Sequence, residues 1–252
     1  MADFTSRTFE KLLQSFMKAG YAFQTVESFM DGPKKGMVAI LRHDVDRLPE
    51  NAFDVAQMES RYGIHASFYF RMVKPAYDEA VIKKTAALGH EIGYHYENLS
   101  RFSGRYELAI QDFEKNLGKL RRFYPVRTVC MHGSPLCGYD NRKIWNRYDY
   151  RDYGIIAEPY FDVDFNSVFY LSDTGRSWNH FSASFRDKVD STFDIPVKSS
   201  NDLMDKIQNR ELPNKVMINT HPQRWSDCPV RWGTELVVQS VKNVAKRVVL
   251  RF

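Results

Sequence analysis

Apolar residues first recur with helical spacing between about Thr8 and Ala19, where Phe9, Leu12, Leu13 and Phe16 share one face and Gly20 follows as a stop. The pattern then changes to a short apolar run, Gly36-Met-Val-Ala-Ile-Leu41, which predicts a buried strand. Polar residues, Arg42-His-Asp-Val-Asp46, gather where that strand is expected to end. Helical spacing returns from about Glu50 to Tyr62, with Phe53, Val55, Ala56 and Met58 on or near the inner stripe and Gly63 closing it. The segment from His65 to Met72 reads as the next strand. A third unit repeats the order: a helix from about Asp78 to Leu88, Gly89 as its stop, and a strand from Glu91 to His95.

The longest periodic stretch runs from Arg105 to Phe123, where Leu108, Ile110, Phe113, Leu117 and Leu120 line one face. Further strands are expected at Thr128 to Met131, Ile155 to Ala157, Val168 to Leu171, Val216 to Asn219 and Val248 to Leu250, and helices near Asn201 to Gln208 and Thr234 to Ala245. Such alternation predicts an α/β fold with a mostly parallel sheet, closed or nearly so, and helices outside. In barrels of this kind the chemistry sits at the C-terminal ends of the strands. One domain spanning residues 1–252 is expected, with residues 1–35 as a helical covering segment. Residues 139–191, aromatic, polar and poorly periodic, are expected to form a substrate-facing insertion.

Composition narrows this picture only slightly. At 43% hydrophobic and 27% charged residues the chain is ordinary globular protein. No apolar run approaches the roughly 20 residues needed to span a bilayer, and the start, Met1 to Arg7, lacks the order of a signal peptide. A cytoplasmic protein without an integral membrane segment is therefore expected. The net charge of +5 is spread among 31 acidic residues, which speaks against a nucleic-acid partner and suits an anionic sugar. Cys130, Cys137 and Cys228 form an odd set without a CxxC pair, so they support neither a disulfide framework nor a zinc ribbon. The oligomeric state leaves no trace in the sequence.

Candidate chemistry lies at four predicted strand ends: Asp44 and Asp46, His95, His132, and His221 within Asn219-Thr-His-Pro-Gln-Arg-Trp225. A barrel brings such ends together. Carboxylate and imidazole ligands suit zinc or a similar divalent ion, provided one position stays open for water. Asp44 and Asp46, two residues apart, face the same side of an ideal strand. One can bind the ion while the other takes a proton. A salt bridge with Arg42 or Arg47 is the alternative use of the pair.

These motifs carry a resemblance. Leu41-Arg-His-Asp-Val-Asp46 is similar to the first motif of the polysaccharide deacetylase family, the NodB-like carbohydrate esterases, and Gly89-His-Glu-Ile-Gly-Tyr-His95 to the second. Met217-Ile-Asn-Thr-His221 resembles the late motif, and His132-Gly-Ser-Pro135 falls where the family has an Arg-x-Pro loop. The WbmS-like group of O-antigen loci is the nearest in pattern. The resemblance implies a NodB-like distorted (β/α) barrel that removes an N- or O-acyl group from a sugar intermediate of surface polysaccharide biosynthesis.

Carried onto these positions, the resemblance makes Asp44 the catalytic base, His221 the acid, and Asp46 and His95 metal ligands. Asp173 and Trp178 resemble the motif that positions the acid and lines the sugar pocket. Leu99 stands where the family has its second ligating histidine, so the third ligand must come from elsewhere: His132 first, Glu97 second. Trp178, Trp225, Tyr139 and Tyr170 are candidate floors for a sugar ring, and Arg176 or Arg224 candidate holders of an anionic group. The implied cofactor is one divalent ion, zinc foremost. The implied partner is a carbohydrate or a sugar linked to nucleotide or lipid. A catalytically degenerate carbohydrate binder on the same fold is the rival reading.

Overall fold

The computed structural model describes residues 2–32, 35–133, 137–178 and 189–249, the side chains of 245–249 excepted. Helix α1 (Ser6–Ala19) starts where the Thr5 hydroxyl accepts from Thr8 N–H and ends at Gly20, whose φ of 92° lies in the left-handed region. Strand β1 (Ala22–Gln24) and helix α2 (Val26–Asp31) follow, two short elements inside the stretch expected to be helical throughout. Strand β2 runs from Val38 to Val45 and is buried along its whole length. Arg42, His43 and Asp44 therefore belong to the strand, instead of lying beyond its end.

The chain then alternates: α3 (Pro49–Arg61), β3 (Ser67–Phe70), α4 (Glu79–Ala87), β4 (Glu91–Tyr96), α5 (Asn98–Arg101), α6 (Tyr106–Leu120) and β5 (Val129–Met131). After 3-10 turns at Asn141–Asn146 and Tyr150–Tyr153 come α7 (Pro159–Asp162), β6 (Phe169–Ser172), α8 (Ser200–Gln208), β7 (Lys215–Thr220) and α9 (Pro229–Val249). The strand expected at Ile155–Ala157 shrinks to one bridge, Thr128 to Ala157. Val248 and Val249, read from sequence as strand, continue α9, and Leu250 lies outside the described residues.

Every strand pair is parallel, in the order β5-β4-β3-β2-β7-β6. Strand β1 lines up with the first half of β2, and β3 with its second half. Among the described residues no pairing joins β6 to β5, so the barrel is incomplete. It is nevertheless curled. Asp46 and His132 leave β2 and β5, which are three strand steps apart, or roughly 14 Å on a flat sheet. One aspartate and one histidine side chain do not span that gap, yet His132 Nε2 lies 3.4 Å from Asp46 Oδ1. The expected distorted (β/α) barrel, parallel strands within and helices outside, is thus observed.

The two faces of the sheet bury two cores, as the alternation of strand side chains requires. Outward-facing Ala39, Leu41, Val45, Phe68, Phe70, Ile92 and Ile218 pack under the helices. Inward-facing Val38, Ile40, Tyr69, Cys130, Tyr170 and Met217 fill the barrel. Much of the region expected to face substrate is built into these cores: Ile144, Tyr150 and Ile155 join the outer one, and Val163, Phe165 and Val168 the inner. Residues 179–188 lie outside the described residues.

Candidate metal centre

Period-two alternation aims Arg42, Asp44 and Asp46 from β2 toward the barrel axis, along with His95 from β4, His132 just past β5, and Asn219 and His221 at the end of β7. Asp46, His95 and His132 converge so that one ligand atom from each lies within 4.8 Å of the others. His95 Nε2 is 3.6 Å from Asp46 Oδ1, and His132 Nε2 is 3.4 Å from the same oxygen. That oxygen is buried and has no hydrogen-bond partner among the described residues. A carboxylate oxygen so placed, facing two imidazole nitrogens too far away to donate well, fits a cation between them.

Each imidazole is turned to present Nε2. His95 donates through Nδ1 to the Cys130 carbonyl at 2.9 Å. His132 Nδ1 lies 3.1 Å from Glu97 Oε2, in position to donate to it. Such partners fix the tautomer and direct the other ring nitrogen toward the centre. Asp44, His95 and Cys130 form a second convergent group. Asp44 is poorly placed to serve it, because its oxygens are already bonded to Arg42 and Asn219. Leu99 is buried in α5 and packs in the outer core.

Asp44 sits beside this centre, its Oδ2 3.8 Å from His95 Nε2. Fully buried Arg42 holds it in a fork, Nε to Oδ1 at 2.9 Å and Nη2 to Oδ2 at 2.7 Å, and Asn219 Nδ2 adds a bond of 3.0 Å to Oδ2. Burial alone would raise the Asp44 pKa, but Arg42, then His95 and His221, outweigh it and keep the carboxyl below its ordinary value. For Asp46, burial is again opposed, by His132, His95 and His221, and the group is held well below the carboxylate range. Burial lowers His132, a pull that Asp46 and Glu97 only partly offset.

On the far side, His221 Nε2 lies 3.8 Å from Asp46 Oδ2. Its Nδ1 is 2.6 Å from Asp173 Oδ1, and its backbone N–H donates to Asp173 Oδ2 at 3.0 Å. Asp173 also accepts from Arg224 Nη1 at 2.5 Å and from Trp225 Nε1 at 2.7 Å. Burial pushes Asp173 up, but Arg224 and His221 bring it below its ordinary value.

The aromatic candidates divide. Trp178 and Trp225 are 2% and 3% exposed, with Phe4 and Phe9 packed around them, so neither ring offers a face to a sugar. Trp225 reaches the site only through its N–H on Asp173. Tyr170 is buried, and its hydroxyl accepts from Asn219 Nδ2 at 3.2 Å. Tyr139 is exposed. Arg176, with φ of 56°, stacks over Phe4 and Trp232, and its buried Nη1 has no partner among the described residues. Ser134 and Pro135 of the loop after His132 lie outside the described residues.

Sequence reasoning passed over Asn219, Arg71, whose Nη1 donates to the Asp46 carbonyl at 3.0 Å, and Gln223, whose Nε2 donates to Asp46 Oδ2 at 3.4 Å, and treated Arg42 only as a rival salt-bridge partner. Arg42 and Asn219 were findable, since each stands two residues before a singled-out group on the same strand face. Arg71 and Gln223 carry no such local mark.

No family model matches the chain, and no curated protein does. Solved structures resemble it distantly. The Xyl-CE4 domain of a multidomain xylanase from the hindgut metagenome of Trinervitermes trinervoides aligns with a TM-score of 0.42 and 12% identity over 85% of this chain and 84% of its own. Peptidoglycan deacetylase PdaC from Bacillus subtilis aligns with a TM-score of 0.39 and 14% identity over 86% of this chain and 98% of its own. Its D285S mutant gives 0.40 and 13% over the same shares.

Proposed function

We propose that this chain is a metal-dependent carbohydrate deacetylase, hydrolysing an N- or O-acyl group on a sugar intermediate of surface polysaccharide biosynthesis. The observation that carries the metal is the buried Oδ1 of Asp46, unpaired among the described residues and facing Nε2 of both His95 and His132. The sugar substrate rests on the motif resemblance around Asp44, His95 and His221. In this reading Asp46, His95 and His132 hold one divalent ion, zinc foremost, with a coordination position left for water.

A divalent ion so held supplies Lewis acidity, lowering the pKa of water and polarising an acyl carbonyl. Asp44, kept ionised by Arg42, accepts the proton of the attacking water. His221, with Nδ1 bonded to Asp173 and Nε2 directed toward the centre, donates a proton to the departing amine or hydroxyl. Water thus adds to the acyl carbon, the C–N or C–O bond breaks, the sugar departs as its amine or alcohol, and the acyl group is released as a carboxylic acid that ionises.

The test joins metal analysis with acyl release from acetamido and O-acetyl sugars, free or linked to nucleotide. The expected result is one zinc per chain, lost together with hydrolysis when a chelator is added. Asp44→Asn should keep its metal and lose turnover by about 10²- to 10⁴-fold, whereas His95→Ala should lose both. A purified chain that holds no divalent ion at micromolar concentration overturns the reading.

A further inference from the structure

Glu97 was a candidate ligand in the sequence, but the structure assigns it another role. Resting on the metal reading above, we propose that Glu97 and Arg71 are positioning residues that build His132 into a third ligand in a chain where Leu99 supplies none. Glu97 follows the end of β4, and neither of its oxygens is free to ligate. Oε1 accepts from Arg71 Nε at 3.2 Å and Nη2 at 2.9 Å. Oε2 accepts from Arg71 Nη2 at 2.8 Å and lies 3.1 Å from His132 Nδ1.

Arg71, just past β3, also reaches Asp46: its Nη1 donates to the backbone carbonyl of that residue at 3.0 Å. One guanidinium thereby ties the carboxylate behind His132 to the peptide that carries the Asp46 ligand. The strands involved, β2, β3, β4 and β5, are consecutive in the sheet, so the network spans the arc between Asp46 and His132. The imidazole is further fixed at its root, where His132 N–H donates to the Tyr96 carbonyl at 2.8 Å.

A carboxylate on the non-ligating nitrogen orients a histidine and raises its basicity, and losing it typically weakens metal binding by 10- to 100-fold. Glu97 also carries negative charge next to the centre while Arg71 balances it. The ion pair is mostly shielded from solvent, at 20% and 12% side-chain exposure, so it is not a freely solvated surface contact.

Competition titration of the full chain with Zn²⁺, and with Co²⁺ for its ligand-field spectrum, tests the assignment. Glu97→Ala is expected to weaken apparent affinity by about 10- to 100-fold. Glu97→Gln retains an oxygen that accepts from Nδ1–H and should lose less, which also covers the case in which the alanine variant folds poorly. Combining Glu97→Ala with His132→Ala should cost no more than His132→Ala alone, because the two act as one unit. If His132→Ala weakens binding while both Glu97 variants bind as the parent does, the positioning role is overturned and the metal site stands. If Glu97→Gln loses metal as fully as His95→Ala, Glu97 is itself a ligand and the assignment is again overturned. A parent chain that binds neither ion removes the metal reading and this inference together.

Discussion

Arg42 and Asp44 sit two residues apart on one strand face, both buried, and share a forked pair of hydrogen bonds. Removing one member of a buried ion pair strands the other charge, which costs about 3–5 kcal/mol. Arg42→Met should therefore lower unfolding free energy by about that much, although methionine fills similar volume. The neutral combination Arg42→Met with Asp44→Asn should recover part of the loss. Denaturant titration reads both. A single variant within about 0.5 kcal/mol of the parent, the usual range for surface changes, would show that Asp44 is held by other means. Arg42 is also flanked by the rings of Tyr69 and Tyr160, at 5.7 and 5.2 Å, which confine the guanidinium. The carboxylate that serves as base in the proposed reaction is thus rigid before any substrate arrives.

At the scale of elements, β4 shows why the strand presents His95 as it does. A Cβ at Gly93 would run into the ring of Tyr69 on β3 and sit 3.2 Å from the Thr128 carbonyl. Gly93→Ala should destabilise the protein by about 1–3 kcal/mol through overpacking. It should also perturb the arc from Tyr69 to His95, visible as a lower thermal midpoint together with weaker metal binding. A midpoint unchanged from the parent would mean that Tyr69 simply turns aside. Glycine at this position leaves room for a close neighbour, and the sequence does not name that neighbour. The same limit applies more widely. Long periodic helices such as α1, α3 and α6 were legible because their apolar stripes repeat over several turns. Strand β1 and helix α2 were too short to register. Strand β2 was read as ending at Leu41, since Arg42 and Asp44 look like loop residues until each is seen to satisfy the other inside the barrel. Val248 and Val249 mimic a strand by residue type alone, yet continue a helix. The convergence of Asp46, His95 and His132 required only that strand ends meet. The supporting Arg71 could be placed only once the sheet's curl was known.

For the whole molecule, the open side of the sheet has a consequence for stability against pH. Among the described residues the ladder beyond β5 is reduced to the single bridge between Thr128 and Ala157, and the next residue, Glu158, takes over with its side chain. Its Oε1 accepts from Met131 N–H at 3.0 Å and from the Tyr96 hydroxyl at 3.2 Å, and its Oε2 accepts from Tyr160 N–H at 2.6 Å. Burial raises this carboxyl from 4.5 to about 7, against the pull of those donors and of Arg42. The folded state therefore holds the proton more tightly than the unfolded chain. Below pH 4.5 both states are protonated and the group leaves stability at its full value. From there to about pH 7 stability falls as pH rises, by roughly 3 kcal/mol in total, and above that the loss is complete. Asp44, Asp46 and Asp173, whose pKa values are depressed, act in the opposite sense and in a more acidic window. Glu158→Gln has no charge to acquire. It should be less stable than the parent at low pH, where an amide N–H₂ must face a backbone donor, and should lack the decline between pH 4.5 and about 7. Urea midpoints across that range separate the two proteins, and curves that stay parallel would place the source of any decline elsewhere than Glu158.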